Sequence, residues 1–340
     1  MNRHDKEKTA MIAACGESLI DMVPSEQEKH LFEACPGGCP YNSAIAAARL
    51  GVPTWFIGKT SKDFLGDKIV AKLRDSGVDT SFLVRNEQAV TLAFVERDAD
   101  GNAKYAFYSA DAADRFFMPS DLPAELPEQV VFLIVGSISL VEEPSCSTIL
   151  SLIEREHLHR LISFDPNVRP SLIPSKSEYR SRFEWVCRHS AIVKASDSDL
   201  EWIYGISAEA AVKKVLALGP ELVALTKGER GSILFTKKHR LELPAVQVKV
   251  VDTIGAGDSF HAALLAGLGW LKVRDREGLA SLDEGSLKSA LRLATTVAAI
   301  DCTKRGAEPP TLREVAVFDP EAVHIAPGFM STFIPKERIC

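Results

Sequence analysis

Residues 250–268, VVDTIGAGDSFHAALLAGL, decide how the rest of the chain is read. The residues just before, PAVQVKV at 244–250, alternate apolar and polar positions around valines and predict a β-strand. After them, Phe260, Ala263, Leu264, Gly267 and Leu268 recur at helical spacing on one face. Between the two, Gly255 and Gly257 admit backbone angles that other residues resist, and they leave no side chain to block a ligand. A helix entered this way offers the free N–H groups of its first turn to whatever lies above it, which makes an anion site. Asp258 stands in that turn. A carboxylate there either caps the helix or acts on the bound group, and this stretch alone leaves both open.

Working outward, MIAACG, TWFIGKT, VVFLIVGS, RLISFDP, AIVKAS and LVALTKG read as buried strands. Segments with helical periodicity lie between most of them: YNSAIAAARLG, starting at Asn42-Ser43 and stopping at Gly51; FLGDKIVAKLRDSG, ending at Gly77; SCSTILSLIEREHLH; and SAEAAVKKVLALG. Such alternation predicts a mostly parallel sheet covered by helices on both faces. Ligands collect at the carboxyl ends of the strands in such sheets, where SFDPNVR, VKASDSD, LTKGERG and DTIGAGD would emerge. Two segments, LIDMVPSEQEKHLFEACPGG and AVTLAFVERDADGNAKYAFYSA, read instead as extended hairpins, the second turning at residues 98–101. They predict a small accessory sheet, a lid with segments at about 19–34 and 89–108. Residues 1–9 and the tail beyond Pro335 are expected to be loosely held around one domain at 10–335.

The 340 residues carry a net charge of −6, and 46% of them are hydrophobic, enough for a sizeable α/β core. The mildly acidic balance, without a long basic run, argues against nucleic acid or a membrane surface as the main partner. Cys15, Cys35, Cys39, Cys146, Cys187, Cys302 and Cys340 are scattered, and no second pair completes a zinc spacing around Cys35 and Cys39. They read as free thiols of a reducing compartment. The start of the chain fits a first strand better than a signal peptide, and VVFLIVGSISL is too short to span a bilayer. A soluble cytoplasmic protein is expected.

Familiar phosphate motifs do not fit. In GVPTWFIGKT six residues separate Gly51 from Gly58, where a Walker loop has four, so Lys59 reads as a strand-end rim residue. A dinucleotide fingerprint fails because Phe260 stands where the third glycine belongs. No nucleophile elbow or paired-histidine metal motif is present. DTIGAGDSF does, however, closely resemble the signature of the ribokinase-like (PfkB) carbohydrate kinases. PGGCPYNSAIAAARLGVPTWFIGKTSKDFLGD resembles that family's other signature, with Gly37, Gly38 and Asn42 in place. The similarity runs from CGESLIDMVP through FDPNVRP, VKASDSDL and LTKGERG to TKRGAEPPT. GESLIDMVP, YAFY…AADR and SFDPNVRP look most like bacterial fructokinases.

The resemblance implies a ribokinase-like fold and an ATP-using, magnesium-dependent sugar kinase. In it Asp258 is the catalytic base, and the amides of Gly255, Ala256, Gly257 and Asp258 form the anion hole for the transferred phosphoryl group. It implies that Asp21, Gly37, Gly38, Asn42, Phe107 and Arg169 bind the sugar. Asn167, Lys194, Ser196, Thr226, Lys227, Gly228, Gly231 and Thr295, with Gly255 and Gly257, are implied to line the ATP groove. The sequence departs from the family at Asp199, where glutamate usually supports magnesium; the shorter carboxylate implies an indirect, water-mediated role. Asp252 is implied to help bind potassium, although a cap or turn role fits it as well. Fructose to fructose 6-phosphate is the expected reaction. 2-Keto-3-deoxygluconate kinase, a kinase for tagatose or another ketohexose, and a catalytically silent sugar sensor are the alternatives. Related kinases often pair through their lids, so a lid-to-lid homodimer is expected.

Overall fold

The computed structural model describes residues 10–25, 28, 30–97 and 103–327; the turn expected at residues 98–101, the first nine residues and the tail beyond Pro335 lie outside them. Strands are β1 Met11–Cys15, β2 Leu19–Pro24, β3 Phe32–Gly37, β4 Thr54–Ser61, β5 Leu83–Asn86, β6 Leu92–Arg97, β7 Ala103–Tyr108, β8 Val130–Gly136, β9 Leu161–Asp165, β10 Ile192–Ser196, β11 Leu222–Thr226, β12 Ser232–Thr236 and β13 Arg240–Leu243. Nine of them form one sheet in the order β13-β12-β11-β10-β9-β8-β1-β4-β5. Its ladders are parallel except at β12 and β13, which turn antiparallel at one edge.

Period-two alternation places the core on both faces of this sheet. Along β1, Ile12 and Ala14 join one apolar cluster while Ala13 and Cys15 join the other. The first cluster includes the helices Cys39–Arg49, Ala256–Trp270 and Glu284–Asp301; the second includes Ser145–Glu156, Lys176–His189 and Ala208–Leu218. This is the ribokinase-like α/β arrangement expected from the sequence. Four remaining strands form the accessory sheet, order β3-β2-β6-β7, with β2–β3 and β6–β7 antiparallel and β2–β6 parallel. Leu19, Ala93, Tyr105 and Phe107 pack on one side of it against Ile138 and Leu172 of the main body.

Four local expectations are corrected. Residues 244–250 form no strand: Pro244 has no N–H to donate and ends β13, and the valines beyond it are unladdered, Val250 being 58% exposed. The helix expected from Asn42 begins at Cys39, with Pro40 in its first turn, where a missing N–H costs nothing. The lid's second strand continues past residue 34 to Gly37, carrying the glycine pair toward the pocket. The Ala256–Trp270 helix has no single apolar face: every residue from Asp258 to Gly269 is buried, wedged between the Cys39–Arg49 and Glu284–Asp301 helices.

Candidate active site

In the large sheet β1 and β8 are neighbours, and the chain fills outward from them on both sides. Such a reversal of strand order opens a crevice beyond the strand carboxyl ends. The loops after β8 and β9 bring Ser137, Asn167 and Arg169 to it, lid strands bring Asp21, Tyr105 and Phe107, and the Gly255 turn brings Asp258. Gly38, Cys39 and Asn42 complete its floor.

Asp258 answers the question its position raised. It lies in the first turn of a helix whose N-cap residue, Gly255, has φ 83°, and no side chain caps that helix. Its Oδ2 instead accepts a hydrogen bond from Asn42 Nδ2 at 2.8 Å, and its carbonyl accepts one from Ser43 Oγ at 3.4 Å. The side chain is thus held across the pocket floor, 7% exposed. Burial pushes its carboxyl from the ordinary 3.8 up to about 7, against the pull of the Lys194 ammonium.

Lys194, on β10, donates to Asp165 Oδ2 at 2.7 Å. Burial works against its charge, and the Asp165 carboxylate outweighs burial, so its pKa is raised. The amine also sits against the glycine turn: a Cβ on Gly257 would lie 2.8 Å from Lys194 Nζ. A fixed ammonium beside the first turn of a helix is a setting for phosphate oxygens. Gly255 has a different reason to be glycine. Besides its positive φ, a Cβ there would lie 2.5 Å from Ala307 Cβ, so the fold itself requires it. The Ala256 amide closes the turn onto the Thr253 carbonyl at 3.3 Å.

At the lid end, Asp21 is 9% exposed and its carboxyl is pushed up to about 7 by burial, which Arg169 partly offsets. Its Oδ2 lies where a Cβ of Gly37 would fall, 2.1 Å from that position, so the glycine makes room for the carboxylate. Arg169 Nη1 donates to Asn167 Oδ1 at 2.7 Å, and its guanidinium lies 4.9 Å above the Tyr105 ring. Phe107 stacks beside Tyr105 with ring centroids 5.7 Å apart.

The other expected residues are placed as follows. Ser196 and Thr226 are in register at the carboxyl ends of β10 and β11. Lys227 pairs with Glu242 at 3.4 Å, and exposed Gly228 follows it. Gly231 lets β12 approach Leu243, whose carbonyl a Cβ would meet at 2.1 Å. Thr295 bonds Ser232 at 3.1 Å and the Leu291 carbonyl at 2.9 Å. Asp199 completes a capping box with Ser196, accepting from its amide at 3.0 Å and its hydroxyl at 2.6 Å, and also accepts from the Val168 amide at 2.9 Å. Asp252, 3% exposed, accepts from the amides of Thr253 at 2.8 Å and Gly306 at 3.0 Å, tying the glycine turn to the 302–307 loop. Lys59 pairs with Asp121 at 2.8 Å and donates to the Phe116 carbonyl at 3.1 Å.

Some residues escaped the sequence reading. Buried Glu17 accepts from the Cys39 amide at 3.1 Å and from the Ser139 hydroxyl, with burial raising its pKa. Asp165 anchors Lys194, and Cys39, Asp165 and Asp258 bring their ligand atoms within 4.8 Å of one another. His261 bonds Ser163 at 2.6 Å, and burial lowers its pKa to about 3. The glutamate and aspartate could have been suspected as charges inside apolar strand ends; nothing in the sequence marks the histidine.

A family model described as pfkB family carbohydrate kinase matches residues 9–313. The chain belongs to that family. A fructokinase from Rhizobium leguminosarum bv. trifolii is 39% identical over 284 residues, covering 82% of this chain and 86% of the relative. Among solved structures, fructokinase from Xylella fastidiosa with bound ATP superposes with a TM-score of 0.84 at 28% identity, covering 92% of this chain and 98% of that one. Fructokinase from Vibrio cholerae O395 in a fructose, ADP and calcium ion bound form gives 0.80 at 25% identity, covering 92% and 99%. This pfkB-family chain is therefore a sugar phosphotransferase, and its pocket has to be understood as one. No helix of the described residues is long and apolar enough to cross a membrane.

Proposed function

We propose that this kinase transfers the γ-phosphoryl group of ATP to fructose, giving fructose 6-phosphate. The observation that carries the reading is the pocket floor: a buried carboxylate, held by Asn42 at 2.8 Å and drawn up to about 7, beside a helix start and a fixed lysine. Asp258 takes the proton of the attacking hydroxyl, and a base near neutrality suits that task. The turn amides and Lys194 stabilise charge spreading over the phosphoryl oxygens, so that positioning and electrostatics supply most of the catalysis. Bound magnesium would supply further charge neutralisation; hard oxygen donors suit it, and Asn167 and Asp199 are the residues that would hold it, Asp199 through water because its oxygens already take protein donors. Potassium would sit beside the Asp252-bound loop, whose backbone carbonyls are the fitting donors. Ser196, Thr226, Lys227, Gly228, Gly231 and Thr295 line the nucleotide groove.

Asp21 and Asn42 receive sugar hydroxyls, with Tyr105, Phe107 and Arg169 closing the lid side. Arg169 is already engaged by Asn167, which favours a neutral ketohexose over a sugar acid needing a free guanidinium fork. The enzyme acts in the cytoplasm, as six free thiols among the described residues support. It pairs lid to lid: Phe32 and Tyr108, 43% and 65% exposed, flank Phe94 in an aromatic chain on the lid. The central test is ADP release over a panel of fructose, tagatose and 2-keto-3-deoxygluconate. Fructose is expected to give the highest kcat/KM. A higher value for the sugar acid overturns the substrate; no ADP release with any sugar overturns the reaction.

A further inference from the structure

Two of the helices that cover the second face of the sheet bring their carboxyl ends together. His157 follows the last residue of the Ser145–Glu156 helix, and His189 ends the Lys176–His189 helix. Glu154 lies one turn before His157. Ligand atoms of Glu154, His157 and His189 fall within 4.8 Å of one another.

The hydrogen bonds around these rings show what the group lacks. The His189 ring stacks on Trp185, centroids 4.0 Å apart, and its Nδ1 lies 2.8 Å from the Trp185 carbonyl. A carbonyl only accepts, so Nδ1 carries the hydrogen, and in the neutral ring Nε2 keeps a lone pair. That Nε2 lies 3.3 Å from Glu154 Oε2. A lone pair facing a carboxylate is satisfied by a positive charge between them, which either a proton or a metal ion supplies. His157 is prepared the same way, with Nδ1 2.9 Å from the Glu154 carbonyl and its ring edge-on to His189 at 4.7 Å.

We propose that Glu154, His157 and His189 form a surface site for a divalent transition-metal ion of the zinc type, which clamps the two helix ends. Two imidazoles and one carboxylate suit zinc, cobalt or nickel and do not suit magnesium or calcium, which take oxygen donors. Metal-binding histidines usually donate their other ring N–H to a carbonyl or carboxylate, as both rings do here. With bonds of about 2.0–2.1 Å, the edge of a zinc tetrahedron is about 3.3 Å, the separation His189 and Glu154 already have. Helix carboxyl ends also favour a cation. Three protein ligands leave one position for water.

The test uses the full chain without a histidine tag, titrated with zinc chloride by calorimetry and with cobalt chloride by visible absorption. One equivalent of zinc is expected, with cobalt giving d–d bands of low coordination number, and excess magnesium not competing. His157→Ala and His189→Ala should each weaken zinc binding at least about tenfold while leaving kinase activity unchanged. His189→Gln, which keeps a planar side chain against Trp185, serves the same purpose if the alanine variant misfolds by circular dichroism. Asp258→Asn should bind zinc as the parent does, separating this site from the Cys39, Asp165 and Asp258 cluster. No zinc binding by the parent would leave only a proton shared between His189 and Glu154 and overturn the proposal. So would binding undiminished in both histidine variants.

Discussion

Replacing Asp258 by asparagine should make the protein inactive and more stable at once. The carboxyl moves from 3.8 to about 7 on folding because it is buried beside Asp165, with Asn42 and Lys194 only partly offsetting this. A carboxyl raised in this way favours the folded state only while it is protonated. Its contribution is fully present below the unfolded value of 3.8 and is lost as pH rises through 7. At about 1.4 kcal/mol per pH unit between the two values, the ionised group costs about 4 kcal/mol above pH 8 and about 2 kcal/mol near pH 5. Asparagine has the same shape, can still accept from Asn42, and leaves Lys194 paired with Asp165 at 2.7 Å. Urea unfolding at the two pH values measures the effect: the variant should gain about 4 kcal/mol at pH 8, falling to about 2 at pH 5. Turnover should meanwhile fall by roughly two to four orders of magnitude, the loss expected for a general base. In the parent, the acid limb of kcat/KM should have its midpoint near the same pH of about 7. A variant no more stable than its parent at pH 8, or a gain that does not shrink on acidification, would refute the electrostatic argument. Near-parental turnover would falsify the base assignment separately.

Two further substitutions probe the anion site and the lid. Gly257→Val adds a Cβ that would sit 2.8 Å from Lys194 Nζ and must displace the amine. Turnover should drop at least about 100-fold, as for loss of one transition-state donor, with fructose binding by calorimetry retained; collapse of sugar binding would make this glycine structural. Phe94→Asp places a charge between the Phe32 and Tyr108 rings, 5.2 and 5.5 Å from Phe94. Light scattering should give a dimer for the parent and monomers for the variant; a monomeric parent would refute the pairing, and an unchanged dimer would put the contact elsewhere.

What was legible in the sequence follows from which interactions are local. The alternation of strands and helices is written in periodicity, so the parallel sheet and both lid hairpins could be read directly. The glycine turn at Gly255 was equally plain, but its reason was not, because Ala307 reaches it from 52 residues further along. The same limit applied to Pro244–Val250, where alternation looked like a strand although no strand among the described residues pairs with it. Asn42 was legible as a motif residue, and yet its partner, Asp258, comes from the other signature. Glu17 and Asp165 appeared only as isolated acids next to apolar runs. Their roles, fixing Cys39 and Lys194, depend on three strands meeting at one edge.

That convergence explains why one pocket should hold several groups at a cost to stability. Asp21 and Asp258 are each drawn up to about 7 by burial, from the lid end and the floor of one crevice. Exposed carboxylates would be more stable and would remain near their ordinary values, further from the neutral range that suits a general base. Burial raises basicity and destabilises the ionised protein through the same term, so the two effects cannot be separated by sequence changes at these positions. A sugar that donates hydroxyl hydrogens to both carboxylates would offset this cost. Its binding energy is then largest in the state where the acids are charged, which is also the state competent for transfer.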